Sequence, residues 1–245
     1  MVKSRAAVVV VAGGSGSRFG ASVNKVYLPL AGRPVVSWSL RSAAQVPEVA
    51  GCVLVVRPED VERAGEVLRR EACGLDVRVV VGGATRHASE EAALAHLAPA
   101  VQDGEIDVIA VHDAARPLAG PSLFRSAITT AQAVGGAVPV LPAVGVLPVG
   151  PDGQPDRTGH SQGTVAHRLA RVQTPQAFRA DDLLTAYSAA HAAGYQGTDT
   201  ASSLEAYSDL VVRAVPGRGH NLKVTYPHDL AVAEHLLRVY GYRLP

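Results

Sequence analysis

The chain lacks the marks of several protein classes, and each absence narrows what it can do. Its two cysteines, Cys52 and Cys73, form no C-x-x-C and no Cys/His ligand spacing, which excludes a disulfide framework or a structural zinc site. Both read as buried or stray thiols in a reducing compartment. Nine histidines are scattered rather than clustered. The longest apolar run, near the N-terminus, falls far short of the ~18–20 residues a membrane span needs. Met1-Val2-Lys3 runs into the first strand without a signal-peptide layout, so a cytoplasmic protein is expected. Formal net charge is only +1 with both signs interspersed, so neither a nucleic-acid surface nor a membrane surface is expected as a partner. Phosphate binding, if present, must be local.

What is there suits one large core. At 245 residues and 47% hydrophobic content the chain reads as a single α/β domain, 1–245. Strand-like runs near 6–12, 52–57, 77–81, 106–111 and 136–142 alternate with alanine-rich helical segments near 34–46, 59–72, 87–98 and 121–134. Such alternation predicts a parallel sheet covered on both faces, with ligands at the carboxyl ends of its strands. Beyond 142 the pattern breaks into a turn-rich stretch that is too long for a hairpin loop. The segment 143–170 therefore reads as a protruding arm that packs on a second subunit. A helix near 180–193, a strand near 210–215 and a last amphipathic helix near 228–240 follow.

The loop after the first strand carries the clearest chemical signal. Val8–Val11 ends in Ala12-Gly13-Gly14-Ser15-Gly16-Ser17-Arg18, a buried strand feeding a glycine turn. Glycines at 13, 14 and 16 let a phosphate chain approach the backbone, and Arg18 with Lys25 supplies cations for a triphosphate. Phe19 stands where a dinucleotide fingerprint needs a third small residue, and no P-loop sequence occurs, so both of those classes are excluded. The competing view is a plain glycine-rich strand-to-helix turn.

A second signal is His112-Asp113-Ala114-Ala115-Arg116-Pro117, directly after the strand Val108–Val111. A lone carboxylate beside a triphosphate suits Mg²⁺, which is held by one or two carboxylates plus phosphates. Asp113 is therefore read as a metal ligand, with helix capping as the alternative. His112, ending a buried strand, is read as a hydrogen-bonded structural group.

Together AGGSGSR at 12–18, Lys25, Gly82-Gly83-x-x-Arg86-x-x-Ser89, VHDAARP at 111–117, Gln173-Thr174-Pro175-Gln176-x-Phe178, Thr198-Asp199 and Asn221-Leu222-Lys223-Val224-Thr225 resemble the 2-C-methyl-D-erythritol 4-phosphate cytidylyltransferase family of non-mevalonate isoprenoid biosynthesis. The resemblance spans nearly the whole chain in order. It implies a Rossmann-like, mostly parallel sheet with helices on both faces, a homodimer joined by the arm, Mg²⁺, CTP as donor and pyrophosphate as product. It also implies catalytic roles for Arg18, Lys25 and Lys223, with Lys223 reaching the α-phosphate. Ala12, Gly13, Gly14, Gly16, Gly82, Gly83 and Ser89 would bind the nucleotide, the last three reading the cytosine edge. Arg116 and Thr198 would bind the acceptor.

The departures fall mainly on the acceptor side. The family usually has Pro-Lys-Gln at its catalytic lysine, where this chain has Asn24-Lys25-Val26. Its Asp-Thr-x-Lys falls on Gly145-Val146-Leu147-Pro148, and its substrate-binding arginine on Ala166, with Arg168 and Arg171 as nearby replacements. Two alternatives stay open on this ground: a cytidylyltransferase for another polyol phosphate of ribitol or glycerol type, or a degenerate paralogue that binds CTP without turnover.

Overall fold

The computed structural model describes residues 5–14, 19, 24–71, 74–144, 169–197 and 199–241. Gly16, Arg18, Cys73, Thr198 and most of the arm, including Gly145, Val146, Ala166 and Arg168, lie outside these residues. Ten strands and seven helices are described. In chain order they are β1 (Ala6–Val11), β2 (Pro29–Leu30), β3 (Arg33–Pro34), α1 (Val35–Ala44), β4 (Val49–Val56), α2 (Val61–Glu71), β5 (Val77–Val81), α3 (Arg86–Gln102), β6 (Val108–Asp113), α4 (Gly120–Val134) and β7 (Gly136–Pro142). Then come β8 (Ala170–Val172), β9 (Gln176–Arg179), α5 (Ala180–Ala192), α6 (Thr200–Tyr207), β10 (Val212–Pro216) and α7 (Pro227–Val239).

The main sheet runs β10-β7-β9-β6-β1-β4-β5, with β8 beside β7. All neighbours are parallel except β9, which is antiparallel to both β6 and β7, and β8, which is antiparallel to β7. The alternation of strands and helices in the sequence thus yields the expected mostly parallel sheet. It did not reveal β8, β9 or α6. Each is short, and β8 and β9 add no apolar run of their own.

The β-branched run of β1 is buried on both faces because each strand separates two helical layers. Ala6, Val8 and Val10 join Leu54, Val56 and residues of α1, α2 and α4 in one core. Ala7 and Val9 join Val53, Val55 and residues of α3, α5 and α6 in the other. Period-two alternation sorts successive side chains into opposite layers. A third cluster, with Leu30, Trp38, Leu118, Val224 and Leu237, packs α7 and the β2–β3 hairpin beside the segment 221–224.

Register brings the chemistry together. Val11 is level with Val55 on one side and Asp113 on the other. Asp113 is therefore the last residue of β6 rather than the first of a loop, and it lies beside the start of the glycine turn. Strand β9 returns between β6 and β7, Phe178 opposite Ile109 and Gly136. A Cβ on Gly136 would come within 2.9 Å of the Phe178 ring, so this ring fills space that the glycine leaves.

Phe178 is completely buried. Phe178→Ala is expected to destabilise the fold by about 3–5 kcal/mol in urea unfolding, the usual cost of emptying such a site. A loss below ~1 kcal/mol would mean that the strands collapse onto Gly136.

Candidate active site

A cavity of about 370 Å³ opens at the carboxyl ends of β1, β5 and β6. Its wall includes Ala12, Gly13, Gly14, Lys25, Gly83, Ser89, Asp113 and Lys223, so most of the described residues singled out in the sequence meet there. Gly82 and Arg116 do not line it.

The wall next to β5 is made by close packing. A Cβ on Gly82 would fall 2.6 Å from Ser89 Oγ, and one on Gly83 would fall 2.5 Å from the Ala88 Cβ. These two glycines let the first turn of α3 press against the strand ends. Thr85 caps that turn by accepting from the Ala88 N–H at 3.1 Å. Ser89, which lines the cavity, donates its hydroxyl proton to the Thr85 carbonyl at 2.8 Å.

Asp113 is the electrostatic centre. Arg86 binds its Oδ1 through a short ion pair, Lys223 Nζ lies 2.7 Å from Oδ2, and Arg116 Nε lies 3.7 Å from Oδ2. Burial alone would raise the carboxyl pKa, but Arg86 first and Lys223 second hold it well below the usual carboxylate range. The Asp113 N–H is satisfied by Thr174 Oγ1 at 3.0 Å.

Lys223 comes from far along the chain, and a strap delivers it. Asn221 is fully buried and donates to the Thr174 carbonyl at 3.0 Å, while Arg116 Nη1 donates to the Asn221 carbonyl at 2.9 Å. The Val224 N–H donates to the Ala115 carbonyl at 2.8 Å. These bonds bind the segment 221–224 to the end of β6. Arg116, expected to bind the acceptor, is committed here to the strap and to Asp113, with its side chain only 15% exposed.

Behind Asp113, His112 is a structural group as expected. Its Nε2 faces the Arg116 carbonyl at 3.1 Å, and a carbonyl can only accept, so the proton sits on Nε2. Nδ1 then accepts from Thr174 Oγ1 at 3.1 Å.

Glu90 is a member of the site that sequence reasoning missed. It is 1% exposed and lies 2.8 Å from Arg86 Nε. Tyr187 donates to it through a short bond and Thr200 donates at 3.2 Å. An alternating row of charges, Glu90, Arg86, Asp113 and Lys223, thus runs from the α5–α6 layer to the cavity. The signal available in the sequence is an Arg-to-Glu pair four residues apart on a helix, a spacing that places the two side chains on one face.

A sequence model of the 2-C-methyl-D-erythritol 4-phosphate cytidylyltransferase family matches residues 6–239. A relative of that name from Cereibacter sphaeroides is 39% identical over 235 residues, covering 94% of this chain and 96% of its own. Another from Solibacter usitatus is 35% identical over 244 residues, covering 96% of each. The crystal structure of the cytidylyltransferase from Thermus thermophilus superposes with a TM-score of 0.68 at 29% identity, over 95% of this chain and 98% of that one. The 4-diphosphocytidyl-2C-methyl-D-erythritol synthase of Anaerococcus prevotii, 24% identical, shares the fold with a TM-score of 0.81 over 96% and 99% of the two chains.

Desolvation pushes the fully buried His112 from 6.5 down to about 4. With the folded value below the unfolded one, the neutral ring contributes stability that is complete above pH ~6.5 and is lost as pH falls towards ~4. Urea unfolding is expected to lose roughly 2 kcal/mol between about pH 7.5 and 5, a slope that His112→Asn removes. Parallel profiles for the two proteins would rule the ring out as the source.

Proposed function

Because the chain belongs to the 2-C-methyl-D-erythritol 4-phosphate cytidylyltransferase family, it transfers CMP from CTP to that polyol phosphate with release of pyrophosphate, and we propose how its residues carry the step. The observation that carries the assignment of roles is the convergence of Arg86, Lys223 and Arg116 on one carboxylate, in a cavity that also holds Gly13, Gly14 and Lys25. Such a site attracts polyanions.

The acceptor phosphate is already anionic near neutral pH, so its oxygen attacks the α-phosphorus without a general base. The bond to the β-phosphate then breaks and pyrophosphate leaves. His112 takes no part, being neutral, fully buried and hydrogen-bonded at both nitrogens. The barrier is lowered by position and charge. The glycine turn holds the phosphate chain, Arg18 and Lys25 hold the triphosphate and meet the charge that passes to the leaving pyrophosphate, and Lys223 meets the charge that builds on the α-phosphate. Ser89, its proton engaged, accepts from the exocyclic amine of cytosine, a donor that uracil lacks.

Mg²⁺ fits the residues present. Among the described residues, Asp113 is the single carboxylate of the cavity wall, and no group of three or more His, Cys, Asp or Glu side chains is placed to hold a metal ion by itself. That donor set suits a cation completed by substrate phosphates. When bound at Asp113 the ion would neutralise phosphate charge. Both carboxylate oxygens are paired with Arg86 and Lys223, so occupancy calls for Lys223 to swing from Asp113 to the phosphates.

The acceptor pocket is completed by Thr198, by Arg116 once released from its strap, and by Arg168 in place of the arginine missing at 166. We place the enzyme in the cytoplasm as a homodimer whose arm, 143–170, crosses to the partner. The exposed Val144, Leu169 and Val172 at the two ends of the arm support this reading. Light scattering is expected to give the mass of two chains, and a lone chain would refute the contact.

Pyrophosphate release with CTP and Mg²⁺ against a panel of polyol phosphates tests the whole reading. Methylerythritol phosphate is expected to be the preferred acceptor, with a high KM that Arg168→Ala raises further. Lys25→Ala and Lys223→Ala are each expected to lower kcat by ~10²–10³ with CTP affinity nearly kept, because a cation acting on the transition state costs mainly rate. Near-full turnover in either variant would reduce that lysine to a surface charge.

A further inference from the structure

Asn24 is only 3% exposed, although it is polar and precedes the cationic Lys25. Every hydrogen-bonding group of its amide is used. One Nδ2 proton goes to the Ala12 carbonyl at 2.8 Å and the other to Asp60 Oδ2 at 3.2 Å, while Oδ1 accepts from the Val26 N–H at 3.3 Å. Asp60, also 3% exposed, is held in turn by Arg57 Nε at 2.7 Å. Ala12 leads out of β1 and Arg57 follows β4. The side chain of Asn24 therefore ties the turn 25–27 to the ends of two central strands.

The consequence falls on Lys25. The residue before it is anchored to the sheet, and the residue after it, Val26, is buried in the main core. The backbone bonds Tyr27 N–H to Asn24 O at 3.0 Å and Leu28 N–H to Lys25 O at 3.1 Å close the turn. Asn24 has φ −58° and ψ 126°, a φ that a proline ring would impose covalently. Here the same conformation is maintained by three hydrogen bonds. Lys25 leaves this fixed turn to line the cavity.

We propose that Asn24, backed by Asp60 and Arg57, is the positioning residue for Lys25: it lines the cavity, but its amide is engaged by Ala12, Asp60 and Val26, and it acts by holding the lysine where it meets the triphosphate. This assignment rests on the catalytic role given to Lys25 above. A cation misplaced by about 1 Å costs up to ~10²-fold in rate without removing its charge from the site, so the loss should fall on kcat and not on binding.

The test is a double-mutant cycle on pyrophosphate release, with Asn24→Ala, Lys25→Ala and the pair, each checked for folding by circular dichroism. Asn24→Ala is expected to lower kcat by roughly 10–100-fold with the KM for CTP within about threefold. In the Lys25→Ala background the same change is expected to cost less than about twofold, since the residue it positions is gone. Asp60→Ala removes the acceptor of the same tether from a residue outside the cavity wall and serves if Asn24→Ala does not fold; it is expected to show the same pattern with a smaller loss. Full additivity in the Lys25→Ala background, or a loss expressed in KM, overturns the proposal. Near-full activity of Lys25→Ala overturns instead the role assigned to Lys25.

Discussion

The Asp113 carboxylate stays ionised at the buried end of β6 only because Arg86 and Lys223 lie against its two oxygens, and that requirement shapes what surrounds it. A buried charge that loses its partner leaves several kcal/mol uncompensated, so each member of the set needs the next. Arg86 is itself mostly buried, and burial works against its charge; Asp113 and Glu90 keep it charged. Glu90 is more deeply buried still. Burial, the strongest influence, leaves its pKa above the ordinary carboxylate value, with Arg86, Tyr187 and Thr200 working the other way. Acidic and basic groups alternate from the helical layer to the cavity, and the last one, Lys223, lines the cavity wall.

The row also links parts of the chain that lie far apart in sequence. Glu90 is held by Tyr187 of α5 and by Thr200 at the start of α6. The cap of α6, Asp199, accepts from Gln176 of β9, and Gln176 accepts from the Ala201 N–H. Thr174, just before β9, satisfies the Asp113 N–H and donates to His112. The antiparallel strand thus connects the carboxylate, the neutral histidine behind it and the helix that follows position 198. Arg116 braces the strap through the Asn221 carbonyl and lies beside Asp113.

Much was legible in the sequence. The β-branched run ending in Gly13-Gly14 specified a buried strand, because apolar periodicity is a local property. The register of motifs from 12 to 225 identified the family, and with it the roles expected of Lys25, Asp113, Ser89 and Lys223. Asp113 could be placed near the glycine turn from its position after a buried strand, since parallel strands align their carboxyl ends. The structural role of His112 also followed from its place at the end of such a strand.

The tertiary structure alone decided the partnerships. Arg86 was a letter in a motif until α3 packed on Gly82 and Gly83 and turned it onto Asp113, and nothing local to Glu90 says that Tyr187 and Thr200 converge on it. Asn24 looked like the loss of a favoured neighbour for Lys25; burial against Ala12 and Asp60 shows a tether. The reason is physical: periodicity and turn chemistry act within a few residues, whereas a buried amide or carboxylate is defined by donors and acceptors brought to it from strands and helices far apart in the chain.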